Sequence, residues 1–365
     1  MRFPEFSGEW EKYRLKDIAN ISKERIGINM LSNNNYISTE NMKSDFGGVD
    51  VAINLPASGN VIKFQKGDTL LSNIRPYLKK IWQAKFDGGC SADIFVFRSN
   101  ILCNSDFLYY TLANEKFISY AMSGAKGVKM PRGDKEQILK YELHLPTTIE
   151  QNKITSFLSL LDERIATQIK IIEDLKKLKS AISNEIFEHT SNRKCELKEI
   201  ASVIMGQSPS SHAYNHDAVG LPLIQGNLDI ENGQLSPRIY TSEITQTCEC
   251  GDVILTVRAP VGEIAIAQQE ACIGRGVCSI RPHKKENASL IYQFLQYFKP
   301  KWISLEQGST FTAVSGTDIR GIKVSIPSTD KIQLLDVYDN KIRVESRIHT
   351  SLTQQKQYLL AQMFI

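Results

Sequence analysis

Two stretches of the 365-residue chain carry a hydrophobic period of their own. From Thr147 to Met205 there is no glycine or proline, and apolar residues fall at Ile154, Leu158, Leu161, Ile165, Ile172, Leu175, Ile182 and Ile186 in steps of four and three. Gln168 and Lys179 interrupt the series. Such spacing is a coiled-coil seam, and Thr147-x-x-Glu150 after Pro146 is a capping-box start. After Pro327 the seam returns less cleanly as Leu335, Tyr338, Ile342, Glu345, His349, Leu352, Lys356, Leu359 and Met363. A helix of about 40 residues spans roughly 60 Å. The first helix carries the chain from one globular part to the next, and the second pairs with it most economically by running back. The expectation is an antiparallel coiled coil that relates two domains by a pseudo-twofold axis. The alternative is that each helix packs on its own domain or forms a homodimer.

Outside the helices the period shortens to two. Val51–Leu55, Asp68–Ser72, Lys80–Ala84 and Ile94–Arg98 read as strands, as do Asp252–Val257, Glu263–Ala267 and Gly276–Arg281. An amphipathic helix is predicted in each half, around Ser105–Met122 and Ala288–Leu305. The halves are copies: Arg14–Ile21 returns as Glu196–Val203, Gly67-Asp68 as Gly251-Asp252, Arg75 and Ile81 as Arg258 and Ile264, and Arg98 as Arg281. Each closes on an aliphatic-proline step, Leu145-Pro146 and Ile326-Pro327. A period of roughly 180 residues is far too long for a solenoid, and each globular part can bury its own core. The predicted fold class is α+β: two tandem, pseudo-twofold-related α+β domains, 1–145 and 191–326, separated by two long helices, 146–190 and 327–365, that form an antiparallel coiled coil.

A duplicated domain on a fixed spacer suits a ligand that offers two sites, nucleic acid above all. Composition permits this: 42% hydrophobic and 23% charged residues describe a soluble globular protein, and a formal charge of +4 leaves any nucleic-acid affinity to local clusters. The first ten residues carry charges where a signal peptide needs an apolar run, and nothing approaches the roughly 18 apolar residues of a membrane span. Seven cysteines without Cys-x-x-Cys spacing point away from disulfides. A cytoplasmic protein is expected.

The chemistry sits in the loops. In the first half Ser72–Lys80 offers Asn73, Arg75, Tyr77, Lys79 and Lys80, and Gly124–Gly133 offers Lys126, Lys129 and Arg132. In the second half the candidates are Gln207, Ser208 and Ser210 in Gly206–Ser211, Arg258 in Thr256–Gly262, Arg275 between two glycines, and Thr310 and Thr312 in Gly308–Gly316. Arginine suits bidentate contact with guanine, asparagine and glutamine suit adenine, and lysine neutralises phosphate. Basic turns between strands are also ordinary solvated surface, and an arginine that anchors the fold recurs as readily as one that binds DNA.

Catalytic patterns are missing. There is no phosphate-binding Gly-x-x-x-x-Gly-Lys-Ser/Thr, no Gly-x-Gly-x-x-Gly and no Gly-x-Ser-x-Gly. His212 and His216 with Cys248 and Cys250 make a weak zinc pattern, since the histidines lie in a Ser/Asn/Gly loop. Asp252 and Glu263 lack the lysine that completes a nuclease's acidic pair, and Asn73-Ile-Arg-Pro-Tyr77 has the wrong interior for an adenine-methyltransferase motif. No catalytic or metal-ligating residue is expected.

Several stretches together resemble the specificity subunit of type I restriction-modification systems, over essentially the whole chain. They are Arg2–Trp10, Ile74–Trp82, Pro146–Ile154 with Leu161–Ile165, Gly206–Ser211 with Leu221–Gly226, Gly251–Gly262 and Gly274–Gly276. The resemblance implies a noncatalytic subunit that reads a bipartite double-stranded DNA target with an unspecified gap, one half per domain. It further implies no cofactor in this chain, two modification subunits that methylate adenine with S-adenosylmethionine, restriction subunits that use ATP and Mg²⁺, and spacer helices that dock these partners. One departure is visible: the second helix begins Pro327-Ser-Thr-Asp-Lys-Ile-Gln, without the Glu-Gln of Glu150-Gln151. The rival readings are a nonenzymatic scaffold without DNA readout, which salt dependence of DNA affinity distinguishes, and a standalone DNA-modifying enzyme, which activity of the purified chain would expose.

Overall fold

A computed structural model describes residues 2–189, 193–305 and 313–364. The chain forms two compact units, one of Met1–Thr167 with His349–Ile365 and one of Gln168–Ile348. In the first unit, strands Ala19–Ile21, Ile94–Ser99, Thr69–Ser72 and Ile81–Gln83 form an antiparallel sheet in that order. A second sheet orders Arg25–Gly27, Asn60–Phe64, Gly88–Cys90 and Tyr36–Ile37, the last pair parallel. Glu11–Arg14 pairs with Glu142–Leu145.

The first sheet is buried on both faces, which is why its strands are nearly continuous apolar runs. Leu71, Ile81 and Phe97 pack toward helix residues Phe107 and Phe117, while Leu70, Trp82 and Val96 pack toward Ile37, Phe64 and Cys90 of the second sheet. The second unit repeats the plan. Val253, Leu255, Ile264 and Ile280 face Ile291, Phe294 and Trp302, and Ile254 and Val277 face Ile224 and Ile273.

The recurring Asp and Arg of the two halves are partners. Asp68 accepts from Arg98 Nε and Nη2, both at 2.9 Å, and from the Gln65 amide at 2.8 Å. Asp252 accepts from Arg281 Nη2 at 3.0 Å, the Glu249 amide at 2.9 Å and the Ser279 hydroxyl at 2.7 Å. Both carboxylates are 3% exposed. The glycine before each, Gly67 and Gly251, has φ +93°, a left-handed turn that costs a residue with a Cβ. Hydrogen bonding to Asp68 holds the Arg98 guanidinium pKa well above its ordinary value, and hydrogen bonding to Asp252 raises that of Arg281.

The long helices span Thr148–Glu188 and Thr329–Met363. Only half of the predicted capping box forms: the Glu150 amide donates to Thr147 Oγ1 at 3.4 Å. The Glu150 carboxylate, fully buried, instead accepts from Arg2 Nε and Nη2, both at 2.7 Å, and from Trp10 Nε1 at 3.3 Å. Gln151 accepts from the Asn104 amide and donates to the Leu102 and Pro146 carbonyls. This pair therefore ties the helix start to the first domain and to the N-terminal segment, a role that the second helix, with Lys331-Ile332 at the same distance from its proline, does not repeat. Glu150→Gln is expected to release that segment, read as lost hydrogen-exchange protection over residues 2–10 and at the Glu150 turn.

Every apolar seam residue predicted on either helix is buried or half-buried. In the second unit Gln168 Nε2 donates to the Glu345 carboxylate, and Lys179 pairs with Asp339 at 2.6 Å. Ascending one helix descends the other, so the segments run antiparallel. In the first unit Lys356 pairs with Asp162, which also accepts from Tyr110 Oη at 2.8 Å, beside Ile154 and Leu158 in a core shared with Leu359 and Met363. These seam residues are occupied within the chain, and exposed apolar side chains of the helices lie elsewhere, among them Leu160, 64% exposed, in the first unit and Val337, 62% exposed, in the second.

Three local expectations change. Val51–Leu55 is not a strand: the Ala52 amide donates to the Asn33 carbonyl and Asn33 Nδ2 to the Ile53 carbonyl, which wraps the segment into a loop, and Asn60–Phe64 is the strand. The helix expected over Ser105–Met122 is two, Ser105–Leu112 and Glu115–Ser123, because Asn114 caps the second by accepting from the Lys116 amide. Its counterpart Asn287–Phe298 passes into a 3-10 turn at Lys299–Leu305, where Pro300 lacks the amide that an α-helix needs. No helix among the described residues is long and apolar enough to cross a membrane.

All seven cysteines are unpaired, and Cys250 alone is exposed. Burial pushes the Cys90, Cys103 and Cys278 thiols up to about 12 and Cys248 up to about 11. The thiolate is the nucleophile. Iodoacetamide at pH 8 is therefore expected to label Cys250 in the folded protein and the remaining six only after denaturation, as read by mass spectrometry.

Candidate nucleic-acid interface

In the first unit, loop Ser72–Lys80 joins two strands of the first sheet, and loop Gly124–Gly133, which connects helices Glu115–Ser123 and Lys135–Ile138, is hydrogen-bonded to it. Ile74 bridges Arg132, the Arg75 amide donates to the Pro131 carbonyl at 2.8 Å, and the Gly133 amide donates to the Asn73 carbonyl. Arg75 sits at φ 50°, the left-handed region, and its exposed side chain makes no hydrogen bond or ion pair among the described residues. Tyr77 is 47% exposed. The neighbouring lysines are engaged inside the unit: Lys79 meets Glu115 and Asp45, and Lys80 donates to the Thr39 carbonyl at 2.6 Å. The hydrogen bond from Lys79 to Glu115 raises its pKa. Lys126 pairs with Asp134 at 2.7 Å and Arg132 with Asp93 at 3.3 Å, whereas Lys129 is exposed and has no ion-pair partner among the described residues. Asn73 is half-buried, and its Oδ1 has no partner among the described residues.

The second unit builds the matching corner. Arg258 follows the equivalent strand, bridges Ala313 through its backbone and, like Arg75, presents an exposed side chain without a partner among the described residues. Three glycine-marked stretches converge beside it. A Cβ on Gly206 would lie 2.1 Å from the Gly274 carbonyl oxygen, and one on Gly276 would lie 2.0 Å from that of Gln225. Only glycine permits these approaches, and they place Arg275 on an exposed turn whose amide donates to Ser208 Oγ at 3.1 Å. Ser208 is thus partly spent on the backbone. The exposed Gln207 accepts from Thr245 through its carbonyl, and the Ser210 amide donates to Glu243 at 3.1 Å. Thr310 and Thr312 lie outside the described residues.

One element of this corner is absent from the sequence-based candidates. After Leu221–Ile224, the buried Asp229 accepts from the Gln225 amide at 2.8 Å and from Arg238 Nε at 3.0 Å. The first unit has the same turn after Tyr36–Ile37, where Asn41 accepts from the Ser38 amide at 2.6 Å. Each turn follows a short parallel strand, and a two-residue strand such as Tyr36–Ile37 leaves too little alternation to be noticed.

The chain matches the type I restriction modification DNA specificity domain family over residues 7–177 and again over 192–354. It belongs to that family. A Methanocaldococcus jannaschii sequence named for the MjaX type I restriction enzyme specificity subunit is 30% identical over 248 residues, 61% of this chain and 58% of that relative. The chain thus spans less than two thirds of it. The type I restriction enzyme MjaVIII specificity subunit of the same organism is 23% identical across 99% of this chain and 92% of its own length. A chain solved in work on complex assembly and conformational transition of the type I R-M system shares the fold, with a TM-score of 0.61, 23% identity and 98% coverage of both chains. The two family matches fall one on each half of the internal repeat.

Proposed function

We propose that this chain is the DNA-reading subunit of a type I restriction-modification complex, that each domain reads one part of a two-part duplex target, and that the partner subunits supply the chemistry. The observation that carries the reading is the matched pair Arg75 and Arg258: two exposed guanidiniums without a partner among the described residues, after equivalent strands, each on a sheet braced by its own buried aspartate and part-exposed arginine. A guanidinium held this way is ready for guanine or phosphate without first breaking an internal ion pair. In this reading the chain binds no cofactor. Modification subunits bring S-adenosylmethionine, restriction subunits bring ATP and Mg²⁺, and both kinds of partner dock on the helical spacer. The neighbour solved in work on complex assembly of the type I R-M system supports such partnership.

The test is to co-express the chain with its modification subunit and map adenine methylation on plasmid DNA by single-molecule sequencing, with the modification subunit alone as control. A two-part motif with a constant gap, present only with both proteins, is expected. A stable complex that leaves DNA unmethylated would favour the scaffold reading.

A further inference from the structure

The hairpin at residues 126–132 exposes apolar side chains at its tip while its base is secured. Lys126 and Arg132 exchange two backbone hydrogen bonds of 2.9 Å, and Arg132 also bridges Ile74. Gly127, at φ +99°, turns the chain where a Cβ would come within 3.2 Å of the Met130 carbonyl oxygen. The two cations at the base are held by Asp134 and Asp93. At the tip Val128 is 101% exposed and Met130 50% exposed, with Lys129 between them. Water is an unfavourable environment for a fully exposed valine on a braced turn, and Lys129 beside it, with Arg75 on the adjoining loop, leaves positive charge that suits a polyanionic partner.

Resting on the DNA-reading function above, we propose that this tip enters the major groove of the target part read by the first domain, and that Val128 and Met130 select sequence there by apolar contact with thymine methyl groups. The major groove is wide enough for an element as thick as an α-helix, hence for a five-residue loop closed by the single Lys126–Arg132 bridge, and the thymine C5-methyl is the apolar group it displays. Lys129 lies between them and meets phosphate, so it sets the strength of binding while Val128 and Met130 set its selectivity.

The test uses the whole chain in its complex with the modification subunit. The double variant Val128→Ser/Met130→Ser is expected to relax one or two positions in one part of the methylated motif by roughly ten-fold in discrimination, with the other part and the gap unchanged. Lys129→Ala is expected to weaken methylation of all sites evenly without altering the motif. On duplexes carrying the mapped target, deoxyuridine in place of thymine in that part should weaken binding of the unaltered complex several-fold and leave the double variant indifferent. Since both tip residues are solvent-exposed, an unchanged melting temperature establishes that the variant is folded. A motif that survives the double substitution intact, or equal deoxyuridine sensitivity in both proteins, overturns the proposal while leaving the two-part reading standing. Absence of any two-part motif with the unaltered chain overturns that reading, and this one with it.

Discussion

Substituting Asp252 with asparagine is expected to destabilise the second unit by about 2–4 kcal/mol, because it strips the charge from a buried acceptor whose partner cannot leave without breaking the sheet. Asp252 is 3% exposed and serves Arg281, Ser279 and the Glu249 amide together. The asparagine amide has the same shape but turns one acceptor into a donor that faces a guanidinium. The half-exposed end of Arg281 places the loss below that of a fully buried pair. Urea unfolding followed by tryptophan fluorescence would show a lower midpoint with an unchanged slope. Asp68→Asn should act in the same way on the first unit through Arg98. A double-mutant cycle with Arg281→Met separates the pair's coupling from the desolvation of each group. Equal stability of Asp252→Asn and the unaltered protein would contradict the account of why this pair recurs.

Arg75→Ala and Arg258→Ala are expected to act on DNA and spare the fold. In the assembled complex each should cost about 1–3 kcal/mol of binding, reduce selectivity at one base position in its own part of the target, and leave the other part unaffected if the contact is to guanine. If the contact is to phosphate, binding falls evenly across sequences and the salt slope drops by about 1. Methylation mapping together with a salt titration distinguishes the two. Unchanged methylation in both variants would remove the main support for the proposed interface.

These residues also show where the sequence was legible. The recurrence of Asp68, Arg98, Asp252 and Arg281 was visible as a repeat, but nothing in the spacing indicated that the carboxylates close on the arginines, since the partners lie about 30 positions apart on neighbouring strands. The helices were legible because a period of four and three persists over many turns, and the polar breaks mark real contacts. Val51–Leu55 misled because alternation alone does not reveal that a distant asparagine, Asn33, holds its backbone. Among the loop candidates, residue type could not separate Lys79 and Lys80, held within the unit, from Arg75 and Lys129, which are not. That distinction depends on acidic and carbonyl groups, Glu115, Asp45 and Thr39, contributed from elsewhere in the chain.

A spacing of 177 positions carries Asp162 to Asp339 and Lys179 to Lys356, so the two helical ion pairs are one contact written twice. The same spacing carries Gln168 to Glu345, the residue it touches. At that single level a duplicated helix meets its own twin, and an exact duplicate must set like against like. Two glutamines can bond there, amide to carbonyl, whereas two glutamates repel. A chimera assembled from two first halves is therefore permitted at this level and one assembled from two second halves is penalised, so the Gln-Glu pairing lets the first half replace the second but not the reverse.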